Sequence, residues 1–219
     1  MSTIFMKVIL TGATGTVGEG VLLECLQNPL VTEVLVIGRK DCGYMHPKMK
    51  QILISDFTQI ENMAEHIKGY DACFFCAGVK SSGVKEDKYH QITYDLTVAF
   101  AKVLHKLNPN MVFNYVTERA SDSSECGKVF WAKINGKTEN ELMRMGFKAQ
   151  HNFRPALVVP TKGQVCTNPI FRLIAKIWKF FWPEKTVSLK QVGQAMIHTV
   201  SKGFHKSVLE VEDIVALSM

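Results

Sequence analysis

The apolar run Phe5–Leu10 leads into Thr11-Gly12-Ala13-Thr14-Gly15-Thr16-Val17-Gly18, and helical sequence follows at once, from Val17 to Gln27. Such a junction leaves the chain little freedom. At a strand-to-helix turn Gly12 permits the sharp reversal, Gly15 lets the backbone approach a bulky anion with no Cβ in the way, and Gly18 lets the helix lie close to the sheet. The N–H groups that open the helix lack intrahelical partners, and the helix dipole adds partial positive charge there. The loop of Gly12, Ala13, Thr14, Gly15, Thr16, Val17 and Gly18 therefore predicts a cradle for the pyrophosphate of a dinucleotide. A glycine-rich turn with no ligand is the plainer alternative.

What surrounds the loop supports the first reading. Short β-like runs (Phe5–Leu10, Glu33–Ile37, Lys50–Ile54, Ala72–Cys76, Met111–Val116, Gln150–Arg154) alternate with helical ones (Val17–Gln27, Ile60–Ile67, Tyr89–Leu107, Lys128–Met145). Unbroken apolar strands between helices belong to a parallel sheet covered on both faces. With right-handed crossovers this is an α/β doubly wound sheet of Rossmann type. Beyond it the chain predicts an apolar helix over Ile170–Trp182, a helix after Ser188 and a last strand at Val208–Val211. No repeat, low-complexity tract or linker interrupts the 219 residues. The expectation is one domain over 1–219, with 156–219 as a small helical substrate or lid region.

Composition excludes some classes. With 47% apolar and 21% charged residues the chain is neither disordered nor fibrous. The first apolar run is too short for a secretory signal, and no run reaches the roughly 18 residues a membrane span needs. Six cysteines, with Cys25, Cys73, Cys76 and Cys166 in apolar or ordinary contexts, read as reduced thiols of a cytoplasmic protein. The net charge of +6 permits an anionic partner. That partner could be nucleic acid, an acidic membrane or simply a phosphorylated cofactor, and no basic-aromatic ladder points to nucleic acid.

The second strand ends in Val36-Ile37-Gly38-Arg39-Lys40. An acidic residue here would accept from the ribose 2′-OH of NAD; Arg39 and Lys40 suit a 2′-phosphate and favour NADP over NAD. Asp41 comes two residues too late. Asp56 and Phe57, after the third strand, can meet the adenine, although Asp56 is equally suited to cap the next turn. Ala77 and Gly78 form a small-residue loop for close cofactor passage. Cys73-x-x-Cys76 falls in a strand, where it reads as core thiols rather than a redox pair. Nothing else has metal-ligand spacing, so no metal site is expected.

Taken together, the glycine loop, Ile37-Gly38-Arg39, Phe75-Cys76-Ala77-Gly78, Phe113-Asn114-Tyr115-Val116-Thr117, Phe153-Arg154-Pro155-Ala156 and Val187-Ser188-Leu189-Lys190-Gln191-Val192 resemble an atypical short-chain dehydrogenase/reductase from Val8 to about Glu212. The pattern is similar to the branch of Tat-interacting oxidoreductase and sugar-nucleotide epimerase-like proteins. The resemblance implies a substrate-orienting Ser or Thr after the fifth strand, matched by Thr117, and a Tyr-x-x-x-Lys pair on the next helix. It also sets Asn135 and Pro155 against the cofactor. The pair itself is missing: aligned on Gly136-x-x-Glu139, Trp131 takes the tyrosine place and Asn135 the lysine place. An indole N–H exchanges no proton near neutral pH, and an amide supplies no charge. Lys128, Tyr115 and Glu118, or solvent, are the remaining proton sources, while Trp131 can simply pack over the nicotinamide pocket. The only Tyr-x-x-x-Lys, Tyr44 to Lys48, contains Pro47 and reads as coincidence.

Two readings follow. One is an NADP(H)-dependent oxidoreductase or epimerase-like enzyme acting on an unidentified small molecule; the other is a dinucleotide-binding sensor or scaffold without chemistry. In Ile170–Trp182, Arg172, Lys176 and Lys179 form a basic i, i+4, i+7 stripe among apolar residues. The sequence favours burial or a lid there, then a homodimer contact, then a membrane surface.

Overall fold

The computed structural model describes residues 4–182 and 185–219, apart from the side chains of Pro169, Arg172, Lys176 and Lys179. Its strands are β1 (Met6–Thr11), β2 (Val31–Gly38), β3 (Met49–Leu53), β4 (Ala72–Phe75), β5 (Val112–Val116), β6 (Ala149–Phe153), β7 (Leu157–Val159), β8 (Thr186–Ser188) and β9 (Val208–Leu209). Seven of them pair in parallel in the order β3-β2-β1-β4-β5-β6-β9, and β7 pairs separately with β8. The helices are α1 (Thr16–Gln27), α2 (Ala64–Ile67), α3 (Glu86–His90), α4 (Leu96–Leu107), α5 (Phe130–Arg144), α6 (Pro169–Phe181), α7 (Leu189–Ser201) and α8 (Val211–Leu217). This is the α/β Rossmann arrangement.

The two-residue period of a strand sorts the side chains between two cores. Val8 and Leu10 of β1, with Ala72 and Phe74 of β4, pack under α1, α7 and α8. Ile9, Cys73 and Phe75 face the other way, against Phe100 and Leu104 of α4 and Leu142 of α5. β1 and β4 are therefore apolar on both sides, which is why each reads as an unbroken run, whereas inner β6 buries Gln150, His151 and Asn152. Strand order reverses between β1 and β4, so their C-terminal ends open a crevice at the place where such sheets bind ligands.

Several elements differ from expectation. The helix placed at Ile60–Ile67 begins as a 3-10 turn over Phe57–Met63 and is α-helical only in α2. Asp56 starts it, its Oδ1 accepting from the Thr58 N–H at 2.9 Å. The helix placed at Tyr89–Leu107 starts at Glu86 and carries a π-helical segment, Gln91–Asp95, between α3 and α4. The last strand stops at Leu209 because Glu210 and Asp213 form a capping box that starts α8. The short β7 and β8 carry no periodic signal and were not anticipated.

The expected burial of the 170–182 helix is overturned. Only one edge of α6 packs inward, at Ala175, while Ile170, Leu173, Ile177 and Phe180 are exposed. An apolar run of this length fixes a helix but not the number of its faces that find partners. The basic stripe of Arg172, Lys176 and Lys179 lies outside the described side chains. Residues 156–219 divide in the fold: β7, β8 and α6 stand beside the main sheet, while α7, α8 and β9 complete it. Among the described residues, no helix is long and apolar enough to cross a membrane.

Candidate functional site

β1 ends at Thr11, whose fully buried hydroxyl accepts from the N–H groups of Cys76 and Ala77, both at 3.2 Å. That contact ties the loop after β4 to the glycine loop. Gly12, at φ +75°, fits between them: a Cβ there would stand 2.5 Å from the Cys76 carbonyl carbon. A Cβ on Gly18 would come within 2.2 Å of the Gly12 oxygen, so α1 starts as close to the loop as backbone allows. Gly15 caps α1 with no side-chain hydrogen bond to the first-turn amides. Those amides stay available to an anion at the positive end of the helix.

The two loops open onto a cleft of about 820 Å³, a size typical of ligand sites. Gly12, Ala13, Thr14, Gly15, Arg39, Lys40, Asp56, Phe57, Ala77 and Gly78 all line it. Thr16, Val17 and Gly18 stand behind the lining in the first turn of α1. The cleft's donors and shape fit a dinucleotide. A Cβ on Gly78 would meet nothing within 4 Å and would occupy cleft space, while Arg39 and Lys40 lie at the end of β2. The stretch from α3 into α4 adds Lys88, Gln91, Ile92, Asp95, Leu96 and Ala99. Sequence reasoning missed these residues because the π segment changes which helix positions face the cleft; the break itself leaves no pattern in the sequence.

Thr117, Trp131, Asn135 and Pro155 are not part of that lining. Thr117 is buried just beyond β5; its N–H donates to the Phe153 carbonyl, and its Oγ1 lies 2.9 Å from the Ser121 hydroxyl. Asn135, also buried, accepts a hydrogen bond of 3.0 Å from the Tyr89 hydroxyl, and Tyr89 in turn meets the Phe130 ring edge to face. Burial pushes the Tyr89 phenol up, so it stays neutral, a possible donor that the sequence did not reveal. Trp131 is half-buried and Pro155 is buried.

Below this layer Arg154 makes a paired contact with the fully buried Glu139, and its Nη2 also donates to Ser123 Oγ at 2.7 Å. The Glu139 carboxylate holds the guanidinium above its ordinary range even though burial pulls it down. Gly136 brings α5 against the loop after β5: a Cβ would fall 1.8 Å from the Asp122 oxygen. The loop and helix that carry Thr117, Trp131 and Asn135 therefore share one fixed geometry.

The other proton sources fare less well. Tyr115 is enclosed beside Phe75, and burial raises its pKa far above the usual phenol range. Lys128 precedes α5, which begins at Phe130, so it lies outside the helix that carries Trp131. Tyr44 is occupied elsewhere, donating to Glu19 at 2.7 Å. Cys73 is buried and Cys76 half-buried on opposite faces of the sheet, and burial pushes the Cys76 thiol up to about 12. All six cysteines are free thiols.

Residues 8–126 match the model of a family described as the NAD dependent epimerase/dehydratase family. The chain belongs to that family. Rat HTATIP2 is 24% identical to it over 155 residues, which is 70% of this chain and 63% of the rat protein. The chain thus spans less than two thirds of that relative's length. Among solved structures, the enzyme WbmH of Bordetella bronchiseptica in complex with NAD+ superposes with a TM-score of 0.69 at 15% identity, covering 94% of this chain and 75% of WbmH. A short chain dehydrogenase from Burkholderia cenocepacia in complex with NADP gives 0.67 at 13% identity, covering 99% and 93%. Identities this low establish the shared fold alone. The family match covers the glycine loop, both cleft loops and Thr117, and it ends before Trp131 and Asn135.

Proposed function

We propose that this chain is an NADP(H)-binding member of the epimerase/dehydratase family that reads the presence or redox state of its cofactor rather than running a Tyr–Lys proton relay. The observation that carries the cofactor preference is the placement of Arg39 and Lys40 in the same cleft as Gly12–Gly15. A guanidinium there makes paired, charge-assisted hydrogen bonds to a 2′-phosphate. When bound, the cofactor supplies a hydride donor or acceptor. The first-turn amides of α1 hold the pyrophosphate, Asp56 and Phe57 meet the adenine, and Ala77 and Gly78 border the central part of the cofactor. On the nicotinamide side Asn135 holds a ribose hydroxyl and Pro155 closes the pocket.

The sensor reading is supported by Trp131 and Asn135 in the tyrosine and lysine places. A second reading, an NADP(H)-dependent oxidoreductase or epimerase-like enzyme on a small carbonyl or alcohol, is favoured by Tyr89, a neutral phenol 3.0 Å from Asn135. Thr117 orients the substrate oxygen in either case.

Calorimetric titration with NADPH and NADH tests the cofactor assignment. NADPH is expected to bind at least about tenfold tighter, and Arg39→Ala to erase the difference, as for a lost hydrogen bond between charged groups. Binding of neither nucleotide would reduce the glycine loop to a structural turn. Turnover that appears only after Trp131→Tyr with Asn135→Lys supports the sensor; turnover by the unaltered chain, lost in Tyr89→Phe, supports the enzyme.

A further inference from the structure

α6 runs for 13 residues beside the main sheet, packed inward at Ala175, where 1% of the residue remains exposed. Away from that edge several of its described apolar side chains are uncovered. Ile170, Leu173, Ile177 and Phe180 recur at i, i+3, i+7 and i+10, one helical face, with exposures of 66%, 62%, 47% and 81%. Phe181, the last residue of α6, and Trp182 just beyond it extend the face at 64% and 52%. A contiguous apolar face of this kind marks a surface that meets something other than water.

Charge identifies what it meets. Between Glu141 and Glu184 the sequence has no acidic residue, while Lys162, Arg172, Lys176 and Lys179 fall in or just before this helix. A second copy docked through the same face would bring two sets of these cations together, with no carboxylate in the segment to pair them, on chains that each carry +6. An anionic surface resolves both features at once: apolar side chains enter the acyl boundary and cations meet the headgroups. At about 1.5 Å per residue the helix is roughly 20 Å long, too short to span the ~30 Å hydrocarbon layer, so it lies in the plane of the surface.

We infer that α6 is an interfacial helix that docks the protein on anionic lipid bilayers. This inference does not depend on cofactor binding. It is tested by sedimenting the full chain with phosphatidylcholine vesicles, with and without phosphatidylglycerol, while following tryptophan emission. Phosphatidylglycerol is expected to raise the bound fraction about tenfold or more at low salt, with a blue shift from Trp182, and high salt to reverse most of it. Leu173→Glu with Phe180→Glu should abolish binding while leaving the cooperative melt and NADPH titration as in the parent, since both side chains are exposed. Equal binding to neutral vesicles, no binding, or binding retained in the double variant would overturn the inference. So would a solution dimer of the parent that the double variant turns into monomer, which would assign the face to a second copy.

Discussion

Asn135 stands where catalysing relatives are expected to carry a lysine, and it is held by the Tyr89 hydroxyl at 3.0 Å. With its carbonyl oxygen engaged, the amide has its donors to offer a ribose hydroxyl. Tyr89→Phe is therefore expected to weaken NADPH about three- to tenfold, the size of one neutral hydrogen bond, and to leave 2′,5′-ADP, which lacks the nicotinamide ribose, unchanged. Equal weakening of both ligands would make Tyr89 a packing residue only. Two other buried groups are expected to weaken the fold on acidification. Burial opposes ionisation of Glu19, but hydrogen bonds from Tyr44, the Val165 and Cys166 N–H groups and Gln164 outweigh it, holding the carboxyl below its ordinary 4.5. Burial also holds His151 below its ordinary 6.5, against the Lys206 carbonyl. Both shifts mean that the unfolded chain takes up protons first, so stability is full above these values and lost on acidification. Melting temperature is expected to fall in two stages, below 6.5 and below 4.5. His151→Gln should flatten the first and Glu19→Gln the second; melts recorded across pH check each assignment.

Among the elements, contact between α5 and the loop after β5 fixes Thr117, Trp131 and Asn135 relative to one another, and with them the proposed nicotinamide side of the site. Gly136 makes that contact possible, the Asp122 N–H donates to the Ala132 carbonyl at 2.9 Å, and Asn140 Nδ2 reaches the Ser123 carbonyl at 2.9 Å. Gly136→Ala leaves no room for the helix at its present distance. Overpacking of this kind costs about 1–3 kcal/mol. Urea unfolding should show that loss, and NADPH should bind more weakly because Asn135 moves with the helix. Full stability with unaltered binding would mean that the loop yields cheaply. α1 and α7 show the same design: a Cβ on Gly193 would lie 2.7 Å from the Glu24 Cβ, and one on Gly20 would lie 2.6 Å from the Leu189 Cβ.

For the molecule as a whole, the cleft forms at the C-terminal ends of the paired strands β1 and β4, where strand order reverses, and a ligand there would touch the ends of β1, β2 and β4 and the helical stretch from α3 into α4. Binding should therefore stabilise the fold as a unit. At a hundred times its dissociation constant a ligand adds about 2.7 kcal/mol. For a chain of this length that raises the melting temperature by roughly 5–10 °C. NADPH is expected to give the larger shift and NADH a smaller one at equal concentration, read by scanning fluorimetry. Identical shifts would remove the 2′-phosphate contact from the account.

The sequence by itself determined the inner strands and the glycine loop, because both follow from local rules. Val8, Leu10 and Phe74 sit in runs apolar on both faces, and Gly12 and Gly18 are glycines because a Cβ at either would collide with backbone. Arg39, Lys40, Asp56 and Gly78 were legible for the same reason, as they follow directly from strand ends. The rest was decided by contacts between distant segments. The Tyr89–Asn135 hydrogen bond joins residues 46 apart, and the Gly136–Asp122 approach depends on how a helix lies against a loop. The π segment that turns Gln91 and Asp95 toward the cleft is a departure from the very periodicity that sequence reading relies on. Likewise the apolar run at 170–182 announced a helix, but burial is a property of what surrounds it, and only the tertiary structure left its face open.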